Sequence, residues 1–301
     1  MELRQLRYFV TVAEELHFGR AADRLHITQP ALSKQIAVLE KALAVQLLLR
    51  TKRKVQLTHA GQVFLDQVRQ LLAQMEAAIQ LTQRTDRGEV GSLSIGFTAT
   101  ATHTVLPHFL RDFRRHYSQV DITMRELATE AQVAALNREA IDLAFLHPPI
   151  NSPGLQIYPI LEESFVAILP PEHPLLRYES IPLKAFANEP LIIHPRTEGP
   201  VLYDAFIQIC QAAGFQPQIA HESISSQTRI CLVAAEMGIT FTPDRLQSSV
   251  GTDVVCRPLA DCPLRLEFAA VWRQEATNPA LREALKVLLE ETLQSPDFET
   301  P

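Results

Sequence analysis

The chain has one tryptophan, four cysteines and ten glycines among 301 residues, and no run of 18 or more apolar residues. That last absence leaves nothing to span a bilayer. The opening Met1-Glu2-Leu3-Arg4-Gln5-Leu6-Arg7 has no apolar core and no cleavage site, so no secretion signal and no membrane partner are expected, and the cytoplasm is the default compartment. Cys210, Cys231, Cys256 and Cys262 form no CxxC pair and no zinc-like spacing with histidine. They read as reduced thiols, with no metal expected, and a redox role for Cys256 and Cys262 stays open. The sequence also lacks GxSxG, HExxH, Walker A and GxGxxG patterns. Nucleophile elbows, zinc proteases, P-loops and dinucleotide folds are thereby set aside, and neither an enzyme nor a cofactor is expected.

What is present is organised by charge. Residues 1–58 hold ten Lys/Arg against five Asp/Glu, a balance of +5, so against the chain total of −6 the remainder carries −11. A basic head on an acidic body places a polyanion partner at the N-terminus. Within that head, Thr28 to Leu43 reads as a helix. Leu32, Ile36, Leu39 and Leu43 form one apolar stripe, Thr28 suits the N-cap and Pro30 the first turn. Gln29, Ser33 and Lys34 lie off the stripe, where an amide can pair with an adenine edge and the others reach bases or phosphates. Alone, such a stretch is as consistent with an ordinary surface helix. Upstream, a stripe of Leu3, Leu6, Phe9, Val10 and Ala13 and a shorter one of Phe18, Ala21, Ala22 and Leu25 complete a helix-turn-helix over about 18–37. Downstream, short apolar flanks surround Arg50-Thr51-Lys52-Arg53-Lys54, a hairpin wing whose basic tip would lie on phosphate. Expected DNA contacts are Thr28, Gln29, Pro30, Ser33, Lys34, Arg50, Lys52, Arg53 and Lys54.

Four motifs in order, Leu6-Arg7-Tyr8-Phe9, Ala21-Ala22, Ile27-Thr28-Gln29-Pro30-Ala31-Leu32-Ser33 and Leu57-Thr58-His59-Ala60-Gly61, resemble the N-terminal domain of LysR-type transcriptional regulators. The family usually has Phe where Leu48 stands and a Gly at the wing tip, where this chain has Lys52-Arg53-Lys54.

From 59 to 90 the spacing predicts a long helix capped by Thr58 and ended by Gly88. Phe64, Val68, Leu71 and Met75 make an a/d seam that, lacking a partner in its own chain, would form a coiled-coil homodimer. The resemblance implies a linker helix in an assembly that is commonly a tetramer. Beyond residue 91, strand and helix patterns alternate, as in two α/β lobes: about 91–163 with 268–301, and about 164–267. The expected fold is therefore a multidomain α+β, α/β chain. It has a winged helix-turn-helix (1–58), a linker helix (59–90) and a two-lobed body like periplasmic binding proteins (91–301).

Ligands in such bodies bind at strand C-termini between the lobes. That rule selects Thr98, Thr100, Thr129, Arg196, Thr197, Gln227 and Thr242, in which hydroxyls, helix N-termini and one Arg would hold a carboxylate. The competing explanation for each Thr is simple helix capping. The resemblance implies that Thr100, Thr129 and the loop from Arg196 to Leu202 line an effector cleft, with a leaning to regulators of aromatic-compound catabolism. The expected function is regulation of transcription on double-stranded promoter DNA, answering to a small anionic effector and acting indirectly on RNA polymerase. The alternative is an effector-independent or architectural DNA-binding protein.

Overall fold

Three helices build the head: α1 (Leu3–Glu15), α2 (Phe18–Arg24) and α3 (Gln29–Leu43). Phe9, Ala21, Ala22, Leu32, Ile36 and Leu39 are its fully buried centre, and the two alanines let α2 cross its neighbours closely. Each break has a local cause. Leu16 and Ala44 take left-handed backbone at the ends of α1 and α3, and His26 does so in the turn between α2 and α3. In this computed structural model residues 1–51 and 54–294 are described. The expected contacts Lys52 and Arg53 therefore lie outside the described residues. A two-strand antiparallel ribbon follows, β1 (Leu48–Arg50) with β2 (Val55–Leu57), and then α4 (His59–Asp86). The Thr58 hydroxyl starts α4 by accepting from the Gly61 amide at 2.8 Å. Gly61 itself is obligatory by proximity, because a Cβ there would stand 2.1 Å from the Leu47 carbonyl oxygen.

The chain divides into two units, Met1–Gln83 and Arg84–Pro301. In the second, β3 (Val90–Phe97), α5 (Ala99–His103), α6 (Val105–His116), β4 (Gln119–Glu126), α7 (Thr129–Asn137), β5 (Leu143–Leu146) and β6 (Leu155–Glu163) come first. Next are β7 (Phe165–Leu169), β8 (Ile181–Pro182), β9 (Pro190–Ile193), α8 (Pro200–Ala212), β10 (Gln218–Glu222), α9 (Ser226–Ala234) and β11 (Ile239–Pro243). The chain closes with β12 (Val255–Ala260), β13 (Leu266–Arg273) and α10 (Pro279–Gln294).

One sheet runs β4-β3-β5-β13-β6 and the other β10-β9-β11-β7-β12-β8. β13 returns to the first sheet and pairs antiparallel with both β5 and β6. The first lobe's core is α6 against α10 over the sheet, with Phe109, Phe113, Phe145 and Phe268 fully buried. Phe186, Phe206 and Phe241 centre the second. A short helix, α5, precedes α6, and Thr104, which leaves the helical region, separates the two. Parallel pairing of β3 with β5, and of β9 with β11, brings the C-terminal ends of each pair together. Those ends carry the body's cavity.

Candidate functional site

On the head, α3 buries Leu32, Ile36 and Leu39 and leaves Thr28, Gln29, Pro30 and Lys34 exposed. Thr28 occupies the N-cap with extended backbone, but its hydroxyl makes no capping bond. Arg50 departs from the expected role of gripping phosphate. Its guanidinium donates to Glu40 at 3.0 Å and to the Ser33 hydroxyl at 3.2 Å, and it lies 4.7 Å over the Phe18 ring. The other oxygen of Glu40 accepts from the Leu47 and Leu48 amides at 2.9 and 3.0 Å. Glu40 therefore ties α3 to the root of the wing, and Ser33 is engaged from inside. Lys54 is exposed at the described end of the ribbon.

The seam on α4 is only half as expected. Val68 is buried and Phe64 packs with its ring 5.3 Å from Phe9, both against the head's own core together with Leu65 and Leu72. The reading of a seam with no partner in its own chain is corrected for this half, because the helix leaves the head along the face that covers Phe9. Farther on, Leu71 is 48% and Ile79 41% exposed, and Met75 is half-buried on the same face.

In the body, a cavity of about 660 Å³ opens between the lobes. Of the seven expected effector residues, Thr98, Thr100, Thr129 and Gln227 line it. Three do not. Arg196 is exposed and clamped by Asp204 at 2.7 and 2.8 Å, which raises the guanidinium's pKa and lowers that of the carboxyl. Thr197 is exposed outside the lining, and Thr242 is buried and outside it, although the next residue, Pro243, does line the cavity. Among the short helices, α5 has only five residues, too few for a substantial helix dipole.

The cation of this cavity is Arg229, on α9. It is 7% exposed, and burial lowers its pKa to about 10, so it stays charged at neutral pH. It donates to the Ser223 and Ile224 carbonyls at 2.8 and 3.0 Å and to the Ser226 hydroxyl at 3.1 Å. No carboxylate pairs with it among the described residues. A buried cation held only by neutral groups is costly until an anion joins it. Glu126, Glu130 and Glu198 also line the cavity, with Glu126 and Glu130 exposed to solvent that screens them. The sequence signal for Arg229 was its place four residues before the buried Val233, on the inward stripe of α9.

Two histidines complete the wall. Burial lowers the His147 pKa to about 4, so the ring is neutral, and it lies between the Glu267 carbonyl at 3.1 Å and the Thr100 hydroxyl at 3.3 Å. His194 is lowered by burial first and by the Arg229 charge second. Near Thr100 is Glu163, fully buried, with neither carboxyl oxygen in a well-aligned hydrogen bond, the Thr100 hydroxyl being its one weak donor. Burial, reinforced by Asp244 and offset in part by Arg245 and the Thr100 hydroxyl, pushes its pKa up to about 8. Burial also raises the Cys256 and Cys262 thiols, the opposite of what a reactive thiolate needs.

Comparison with known proteins bears on both units. Residues 3–62 match the model of the bacterial regulatory helix-turn-helix protein, lysR family, and residues 86–293 match the LysR substrate binding domain. The chain is 42% identical over 287 residues to the HTH-type transcriptional regulator AlsR of Bacillus subtilis (strain 168), covering 95% of each protein. It is 39% identical over 244 residues to the probable cat1 operon transcriptional activator of Acinetobacter lwoffii, covering 81% of this chain and 80% of that one. Among solved structures, full-length CbnR complexed with its target DNA superposes with a TM-score of 0.83 at 25% identity, over 97% of this chain and 100% of that one. A helix-turn-helix head and a two-lobed ligand-binding body, each matched in family and in order, make this chain a DNA-binding transcriptional regulator of the LysR family.

Proposed function

We propose that this regulator reads promoter DNA with the exposed start of α3 and answers to a small carboxylate held in the inter-lobe cavity. On the DNA side, Gln29 and Lys34 reach base edges or adjacent phosphates and Lys54 supports the wing on the backbone. Thr28 and Pro30 set the start of the helix, while Ser33 and Arg50 hold its spacing to the wing. The chain acts as a homodimer through the C-terminal half of α4, where Leu71 and Met75 remain for a second copy, and dimers pair into a tetramer. Effector binding reshapes the cavity, shifts the placement of the heads on DNA and so alters access of RNA polymerase, in the cytoplasm.

The observation that carries the effector reading is Arg229: a charged, buried side chain on a cavity wall, with no counter-ion among the described residues. The leaning of the sequence resemblance toward regulators of aromatic-compound catabolism puts aromatic acids among the candidates. The test is a thermal-shift screen of the full chain against aliphatic and aromatic acids. A true ligand at about 100 times its dissociation constant stabilises by about 2.7 kcal/mol. Arg229→Met is expected to abolish that gain and leave operator affinity intact. A variant that keeps the gain would remove Arg229 from ligand binding, and an effector-independent regulator would show no shift with any acid.

A further inference from the structure

Glu163 closes β6 in the first sheet, and after Ser164 the chain enters β7 in the second. Its register partner, Leu266, opens β13, where the chain returns to the first sheet. The carboxyl therefore sits between the two crossings that join the lobes. Its other neighbours belong to the cavity wall. Leu266 and Thr100 line the cavity, as do Pro243 and Leu246, which flank Asp244 and Arg245 in the chain. Glu163 itself is outside the lining and lies one side chain behind it. Its weak donor is the Thr100 hydroxyl, which also contacts His147 at 3.3 Å. A carboxyl in such a place favours its neutral form, because one weak donor does not repay the lost solvation. Asp244, which accepts from the Ser164 hydroxyl, adds like charge, and Arg245 opposes it. Glu162 and Glu267 pair across β6 and β13 on the other face of the sheet. His147 is neutral, and His103 on α5 lines the cavity.

A carboxylate entering the cavity brings another negative charge to the far side of Thr100. Like charge makes ionisation of Glu163 costlier still. We propose that Glu163 is the proton acceptor of the effector site, taking up a proton from solvent as the effector carboxylate binds, so that the response to effector depends on pH. The O–H bond on Glu163 is the only bond formed, and the buffer supplies the proton. The negative charge of the ligand is thereby added without a second one between the lobe crossings. This rests on the anion reading of the cavity given above.

The experiment titrates the full chain calorimetrically with propionate, butyrate, benzoate and phenylacetate. Each titration is run in two buffers of different ionisation enthalpy, which counts the protons taken up per ligand. From about pH 6.5 to 9 these acids stay ionised, Arg229 stays charged and His147 stays neutral. For an acid that binds, uptake is expected to peak at about a third to a half of a proton, at or just above pH 8. It should vanish toward about pH 6.5, and binding should be about two- to fivefold tighter at pH 7 than at pH 9. Glu163→Gln keeps the shape and removes the titration, so it should bind without uptake and with one affinity across that range. No uptake by the wild-type chain at pH 8, or undiminished uptake in Glu163→Gln, overturns the proposal and leaves the anion reading in place. A wild-type maximum near about pH 6.5 gives the proton to a histidine of the wall and overturns it equally. Failure of every acid to bind, or binding undiminished in Arg229→Met, overturns the anion reading and the proposal with it.

Discussion

Gln29 and Lys34 are exposed on the first turns of α3, and no partner among the described residues holds them. An amide in that position can make two bonds to one adenine edge, whereas a cation serves any phosphate alike. Gln29→Ala is therefore expected to relax base preference at one operator position at a cost of about 1–3 kcal/mol. The check is binding to a panel of singly substituted operators, and an equal loss on every sequence would contradict a reading role. Arg50 and Arg196 make the opposite point. Both are arginines in stretches where an anion was expected, and both spend their charge on a carboxylate of their own chain, Glu40 and Asp204. Arg229 is far less conspicuous in the sequence, flanked by Thr228 and Ile230, and it is the one buried on the cavity wall.

Elements with a strong period were legible from the sequence. The stripe Leu32, Ile36, Leu39 placed α3 correctly because one buried face dictates its spacing. What escaped were features set by distant pairing. β6 and β12 have mixed burial, and each is a strand only because β13 or β7 lies beside it. The division of the α4 seam was hidden for the same reason, since its period is continuous while its partner changes from Phe9 to none among the described residues. In the cavity, the strand-end rule found Thr98, Thr100, Thr129 and Gln227, but could not tell that the loop after β9 turns Arg196 toward α8 and Asp204. The joint between α3 and the wing is testable at this scale. Glu40→Ala strands the Leu47 and Leu48 amides and frees Arg50. It is expected to destabilise the head by about 2–3 kcal/mol in denaturant unfolding. A change below about 0.5 kcal/mol, the size of a neutral surface substitution, would mean that the wing is held by something else.

For the whole molecule, two buried groups set the response to pH. Glu163 is raised from 4.5 to about 8 in the fold. The stability its neutral form contributes is present below 4.5 and is lost as pH climbs to about 8. His147 is lowered from 6.5 to about 4, so its contribution is present above 6.5 and is lost as pH falls toward 4. The two slopes oppose each other between 4.5 and 6.5, and above 6.5 Glu163 acts alone. Denaturant unfolding should show about 2 kcal/mol lost between pH 6.5 and 8, and Glu163→Gln should flatten that decline. A wild-type chain with constant stability over that interval would mean that the carboxyl ionises without penalty. One feature of the head reaches further. In the proposed reading, with Ser33 bound by Arg50, each copy addresses DNA through Gln29 and Lys34, the two expected contacts on α3 that are exposed and have no partner among the described residues. A genome offers about a million or more competing positions, and a four-letter text singles out one of a million only when about ten letters are specified. Two side chains spell far fewer. The rarity of the operator is therefore a property of how many heads read at once and how far apart they are held. A change in that spacing alters which sentence is legible, without touching a single letter.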